Sequence, residues 1–253
     1  MPFVLAVLLL LLCAGIIYEL NQSVLRIAHV QMYGADQSYA DIATLAMQGK
    51  YLGLIPRDST LFFPASRIRS DIIALHPDIA AVSIFRNGFT GLSIKVSDRV
   101  PIARWCGSTP LTTRGTFSSS TCYLFDASGF IFATTSALQP VNAFAVYEPL
   151  GDVADPLTST LPNALDLPST FDFARQLATL GGSVAGIAIR GDEVDDYLAS
   201  GTRITYLLAH EQDAFTALVS AQKSVNLADS SIEYVDLRFN GRVYVKRQAV
   251  GKP

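Results

Sequence analysis

The chain has 253 residues, half of them hydrophobic, with 22 acidic side chains against 19 basic ones and a net charge of −3. A sizeable core in one or two domains is within reach, while the slight acidity and the lack of any Lys/Arg cluster leave no basic field for nucleic acid.

An uninterrupted apolar run extends from Phe3 to Tyr18 and is closed by Glu19, Asn21 and Gln22. At 1.5 Å per residue it covers about 25 Å, enough for a thin bilayer or the core of a signal peptide. A cleaved signal peptide needs basic residues ahead of Phe3 and a small-x-small site, which Cys13-Ala14-Gly15 supplies poorly. A lipoprotein needs a small residue before its cysteine, where Leu12 stands. The expectation is an uncleaved membrane anchor over residues 1–20, in contact with lipid through residues 3–18, with Tyr18 as an interfacial aromatic. Almost no tail precedes the run, so charge orients it weakly, and a start upstream that adds basic residues would account for this.

Ile27 to Tyr33 reads as a strand, followed by the turn Gly34-Ala35-Asp36. Ser38-Tyr39-Ala40-Asp41 has a capping-box pattern, with Ile42, Leu45 and Ala46 at helical spacing behind it and Gly49 as the stop. Gly53 to Pro64 is loop-like with the apolar tip Leu61-Phe62-Phe63. Ser66 then caps a second helix carrying Ile68, Ile72 and Leu75, and His76-Pro77 ends it, because a residue before proline is pushed out of the helical region. Alternation at Ala80, Val82, Ile84 and at Leu92, Ile94, Val96 predicts a half-buried hairpin. Asn87-Gly88 supplies the positive φ angles of its reversal, and Phe89-Thr90-Gly91 lengthens the loop. Pro101 has no amide hydrogen to donate, so this module ends near Asp98.

Cys106 and Cys122 flank a Ser/Thr-rich insert, residues 107–121. With no histidine between them they cannot complete a zinc site. A disulfide is the expectation, which would place this part outside the cytoplasm; two buried thiols are the alternative.

The second half reads as β with two helices. Strands are expected at Cys122 to Phe125, Phe130 to Ala133, Ala143 to Tyr147, Val184 to Ile189, Val194 to Leu198 and Thr202 to Leu208. Glu148 to Pro168 reads as a long surface connection. A helix from about Ser169 to Leu180 presents Phe173, Leu177 and Leu180, and another presents Phe215, Leu218 and Val219. The chain closes on Ile232 to Phe239, the turn Asn240-Gly241 and Arg242 to Arg247.

Catalytic groups are scattered. His29, His76 and His210 have no motif partner, His210-Glu211-Gln212-Asp213 lacks the second histidine of a zinc protease, and the Gly181 to Gly186 stretch lacks the lysine of a phosphate loop. No catalytic residue, metal site or cofactor is expected. Asp192, Glu193, Asp195 and Asp196 read as a solvated acidic turn rather than a weak calcium site.

The single-span anchor, the strand-helix-helix-strand-strand module ending in Leu92, Ile94, Val96, Asp98-Arg99, Pro101-Ile102-Ala103 and Trp105, the segment Phe125-Asp126-Ala127-Ser128-Gly129, and the closing Tyr234-Val235-Asp236-Leu237-Arg238 together resemble the bacterial cell-division family FtsQ/DivIB. Two features depart from it: Gly88-Phe89-Thr90-Gly91 stands where that family has an aromatic-Pro-x-Thr turn, and the 107–121 insert is longer than the usual loop. The resemblance implies an α+β protein with a POTRA domain over 26–99 and an FtsQ-type β domain over 100–253. It implies a non-enzymatic divisome scaffold, single-pass in the plasma membrane at the septum with its large domains extracytoplasmic, and no small-molecule substrate. FtsB-like and FtsL-like partners would bind by strand addition to the last strands. Arg238 would then pair with an acidic partner residue and Phe239 make an aromatic contact at the Asn240-Gly241 turn, with Tyr234, Tyr244 and Lys246 as further contacts. In the alternative, Phe239 and Tyr244 merely fill the core. Competing functional readings are a POTRA-type chaperone of secretion and an anchored surface hydrolase or binding module.

Overall fold

A computed structural model describes residues 2–110, 112–113, 116–117, 121–135, 139–239 and 241–248. The chain is α+β and divides into two compact units, Met1–Arg99 and Val100–Pro253.

The first unit opens with α1, Pro2–Leu20, a helix long and apolar enough to cross a membrane. There follow β1 (His29–Tyr33), α2 (Ala40–Ala46), β2 (Lys50–Tyr51), β3 (Ile55–Pro56), α3 (Ala65–Leu75), β4 (Ile79–Asn87) and β5 (Gly91–Asp98). The sheet order is β1-β5-β4, with β5 parallel to β1 and antiparallel to β4. Period two on β5 sends Leu92, Ile94 and Val96 inward against Ile68 and Ile72 of α3, and this forms the core.

Several local expectations are corrected. Ser38 does not cap α2; the Asp36 carboxylate accepts from Ser38 N at 2.8 Å and starts a 3₁₀ turn, Gln37–Tyr39, ahead of the helix. The buried stripe of α2 is Ala40, Ala43 and Ala46, while Leu45 is exposed, since small side chains let α2 pack closely beside α3. Helix α3 starts at Ala65 after Pro64 with no side-chain cap, and Leu75 faces water in its last turn. A bulge between Ile79 and Ala81 rotates β4, so Ile79 replaces Ala80 in the core. Of the hairpin loop, Gly88 alone has a positive φ; Asn87 stays in the ladder opposite Gly91. The 53–64 loop also hides half of the short β2–β3 hairpin.

The second unit contains β6 (Ala103–Trp105), β7 (Thr112–Thr113), β8 (Thr116–Phe117), β9 (Tyr123–Phe125), β10 (Ile131–Thr134), β11 (Ala145–Tyr147), α4 (Leu167–Thr179), β12 (Val184–Arg190), β13 (Glu193–Leu198), β14 (Arg203–Leu207), α5 (Glu211–Ser220), β15 (Ile232–Asp236) and β16 (Tyr244–Arg247). Nine strands form one sheet in the order β10-β9-β6-β11-β12-β13-β14-β15-β16; β7 and β8 pair separately within the 107–121 insert, much of which lies outside the described residues. Phe171, Phe173 and Leu177 of α4 and Ala214 and Leu218 of α5 share a core with Ile187, Ile189, Val194, Ile204, Tyr206 and Val235 of the sheet. Cys106 and Cys122 are joined in a disulfide that ties the end of β6 to the start of β9.

Two further expectations are amended here. The 148–168 connection does run over the surface for most of its length but ends where α4 begins at Leu167, and it is pinned from within: Glu148 and Leu161 are buried, and Asn163 donates from its backbone N and its Nδ2 to Glu148 Oε1 at 2.9 and 2.7 Å. The acidic turn is confined to Gly191-Asp192, because Glu193 already begins β13, and Asp195 and Asp196 are fully buried on that strand. Neighbours on a strand point to opposite faces, so these two carboxyls cannot converge on one ion.

Candidate partner-binding edge

The last two strands are local in sequence and antiparallel, joined through a turn in which Gly241 takes a φ of +67°. Asn240 lies outside the described residues. The register sets Asp236 opposite Tyr244, Val235 opposite Val245 and Tyr234 opposite Lys246. Tyr244, Lys246, Tyr234 and Asp236 thereby share the face away from Val235, whose side chain belongs to the helix-covered core.

On that face the side chains form two groups. Tyr234 lies between two cations: Arg203, its register partner on β14, places its guanidinium 5.5 Å from the ring centroid, and Lys246 Nζ is 5.8 Å from it. Lys246 also donates to Glu233 Oε1 at 2.8 Å. In the second group, Arg238 donates through Nε and Nη2 to the two carboxylate oxygens of Asp236, at 3.0 and 2.7 Å, and through Nη1 to Glu193 Oε2 at 2.5 Å. The Arg238 hydrogen bonds hold the Asp236 carboxyl below its usual range. Glu193 is lowered in the same way, first by Arg190. Arg238 thus already meets acids of its own chain. Its guanidinium also stands 6.0 Å from the Phe239 ring, which meets Tyr244 edge-on at 5.2 Å. Neither ring fills the core, for Phe239 is 51% and Tyr244 46% exposed.

The two ends of the nine-stranded sheet are treated differently. Outside β10, Ile131 N donates to Ser159 O and Thr158 N to Ile131 O, both at 2.8 Å, so the 158–160 segment bridges the start of that edge. Beyond β16 no strand follows among the described residues, and all four of its residues are exposed. An uncovered edge presents backbone N–H and C=O groups to a partner's strand. From Leu237 to Gln248 the sequence carries Arg238, Arg242, Lys246 and Arg247 and no acid, but the fold brings acids to three of them, Asp236 and Glu193 to Arg238, Glu233 to Lys246 and Asp229 to Arg247, while Arg242 is exposed at the turn. A cleft of about 250 Å³ adjoins it, lined by Leu207, His210, Asp213, Ala214, Leu237 and Arg238.

The structure therefore gathers Tyr234, Arg238, Phe239, Gly241, Tyr244 and Lys246 at one sheet edge. Sequence reading missed Glu193, Arg203 and Asp236 as their companions. The Asp236-x-Arg238 spacing is a local signal; Glu193 and Arg203 arrive through long-range pairing of β13 and β14, which leaves none. No known protein-family model matches the chain, and no curated protein matches it.

Proposed function

We propose that this chain is a non-enzymatic, membrane-anchored scaffold of the FtsQ/DivIB type, which takes on a strand of an FtsB-like protein, itself paired with an FtsL-like one, along β16. The observation that carries this reading is β16, wholly exposed and with no strand beyond it among the described residues, on a sheet whose other edge is bridged by the 158–160 segment at the start of β10. Main-chain pairing would provide affinity, while Tyr244, Phe239 and Lys246 would select the partner's side chains. An acidic partner strand suits the exposed Arg242 at the turn before β16.

Three other features support the reading. Helix α1 suits a single-pass anchor. The order β1-α2-α3-β4-β5 around a three-stranded sheet suits a POTRA-like module. The disulfide suits an oxidising, extracytoplasmic location, which at the division septum would be the site of wall synthesis.

The test is calorimetric titration of the full chain in nanodiscs with the C-terminal segment of the same organism's FtsB-like protein. Saturable binding is expected, and Tyr244→Ala should weaken it at least tenfold, about 1.4 kcal/mol, with unchanged melting. A folded wild type that binds nothing would sink the proposal and favour a POTRA-type chaperone, for which an unfolded client is the next ligand to try.

A further inference from the structure

The β2–β3 hairpin presents an unusual surface. Its turn closes with Leu54 N donating to Tyr51 O at 3.0 Å, and both central residues, Leu52 and Gly53, have positive φ, 49° and 74°. Glycine, asparagine and aspartate suit such positions, not leucine. Leu52 is nevertheless there and is 97% exposed; Leu54 is 52% exposed. Phe62, 51% exposed, shares a shallow groove with Tyr51 and Ile55 of the hairpin. Large apolar side chains grouped in this way mark an interaction surface.

Asn21 identifies what covers it. Its Nδ2 donates to Ile17 O at 2.8 Å, which closes the last turn of α1, and to Leu54 O at 3.1 Å; its Oδ1 accepts from Lys50 Nζ at 3.2 Å. One residue fastens both arms of the hairpin to the end of α1, where Leu20 is buried. The 19 residues of α1 span about 28 Å, the thickness of a bilayer's hydrocarbon core. Asn21 then falls at the boundary of the hydrocarbon, and the polar interface beyond it is roughly 5–8 Å deep. Leu52 lies two residues from each tethered position, within about 7 Å at strand spacing, so the tip is held within the depth of that layer.

We infer that the β2–β3 hairpin together with Phe62 is a second membrane contact, an interfacial wedge that lays Leu52, Leu54 and Phe62 on the lipid surface beside the anchor. The inference rests on α1 being the anchor. Lys50 is exposed next to the tip, and Arg57 stands 5.3 Å from the Tyr51 ring, the pairing of cation and aromatic that suits headgroup level. Attachment at two points fixes the rotation of the first unit about the membrane normal, which a single helix leaves free.

The test uses the full chain in nanodiscs, in a Cys13→Ser background, with an environment-sensitive fluorophore on Leu10→Cys, Leu52→Cys, Phe62→Cys or Leu75→Cys and spin-labelled lipids as quenchers. Positions 52 and 62 should be quenched by headgroup and shallow acyl labels, position 10 by deep labels, and position 75, at the other end of α3 from Phe62, by neither. Deep quenching at 10 with an aqueous 52 would overturn the wedge and keep the anchor. A 52 that is blue-shifted but unquenched would overturn it in favour of a protein cover. An unquenched 10 would remove anchor and wedge together. Melting of each labelled protein should match wild type; where it does not, Leu52→Trp with brominated lipids reads the same contact, and absence of quenching there overturns it.

Discussion

Asp196 on β13 stands directly across from Ile204 on β14, on the sheet face that α4 and α5 cover, and neither of its carboxylate oxygens has a hydrogen-bond partner. Its flanking layer is Ile187, Ile204 and Val235. Burial, then the charges of Asp195 and Glu211, push this carboxyl well above its usual 3.8.

A carboxyl raised in the folded state binds its proton more tightly there than in the unfolded chain. Its contribution therefore weakens as pH rises from about 4 through the folded value. Asp196→Val should raise stability at pH 7 by about 1–3 kcal/mol and flatten the decline of Tm with pH, measured by calorimetric melting between pH 4 and 8.

Asp236 has the opposite sign. The Arg238 hydrogen bonds hold it below its usual 3.8, so its contribution is present above that pH and is lost as pH falls through the lower, folded value. Arg238→Met should cost roughly 1–2 kcal/mol at pH 7 after allowance for solvent screening at this partly exposed pair. The loss should vanish at the acid end of a series of urea titrations.

Reduction of the disulfide acts on the unfolded chain. Cys106 and Cys122 are 16 residues apart, and opening such a loop should lower stability by about 3 kcal/mol in the chain-entropy account. Urea unfolding with and without reductant measures it, with Cys106→Ser, Cys122→Ser as the control that reductant should leave unchanged.

The β4–β5 hairpin was legible because a half-buried ladder writes period two into Leu92, Ile94 and Val96, and because Gly88 marks the reversal. The β15–β16 pair was legible from its turn, which Gly241 marks, while β16, wholly exposed, carries no buried period. Asp195 and Asp196 misled, since a run of acids looks like a turn. Asp195 is instead held on the open face by Arg190 Nη2 and Thr205 Oγ1, at 2.5 and 2.6 Å, which only the β12–β13–β14 pairing reveals. Parallel neighbours such as β11 and β12 leave no local trace at all, because the residues that pair are about 40 positions apart. At the candidate edge, the exposed aromatic and basic residues could be picked from sequence, but the internal engagement of Arg238 could not.

Association through β16 should depend on its charge. Arg242→Glu, at an exposed turn position, should slow association more than it speeds dissociation and should weaken the salt dependence of the rate, read by stopped-flow fluorescence. A change confined to dissociation would place the contact elsewhere.

Gly129 tests the packing behind a turn. Its φ is +74°, and an added Cβ would sit 2.6 Å from the Ala164 Cβ. Gly129→Ala should therefore cost at least about 1–2 kcal/mol for the left-handed backbone alone, seen as a lower urea midpoint with an unchanged slope.

The bridge laid over the start of β10 by the 158–160 segment bears on how this protein can assemble. A sheet with two bare edges can add copies at both ends and grow into a fibril, whereas among the described residues of the large sheet here β16 is the edge strand exposed along its whole length. Two molecules meeting through β16 would form a closed, two-fold pair that stops growing, and a single heterologous strand would occupy the same place. If β16 takes a partner's strand as proposed, self-pairing and recruitment through it would exclude one another, and the partner's concentration would decide between them.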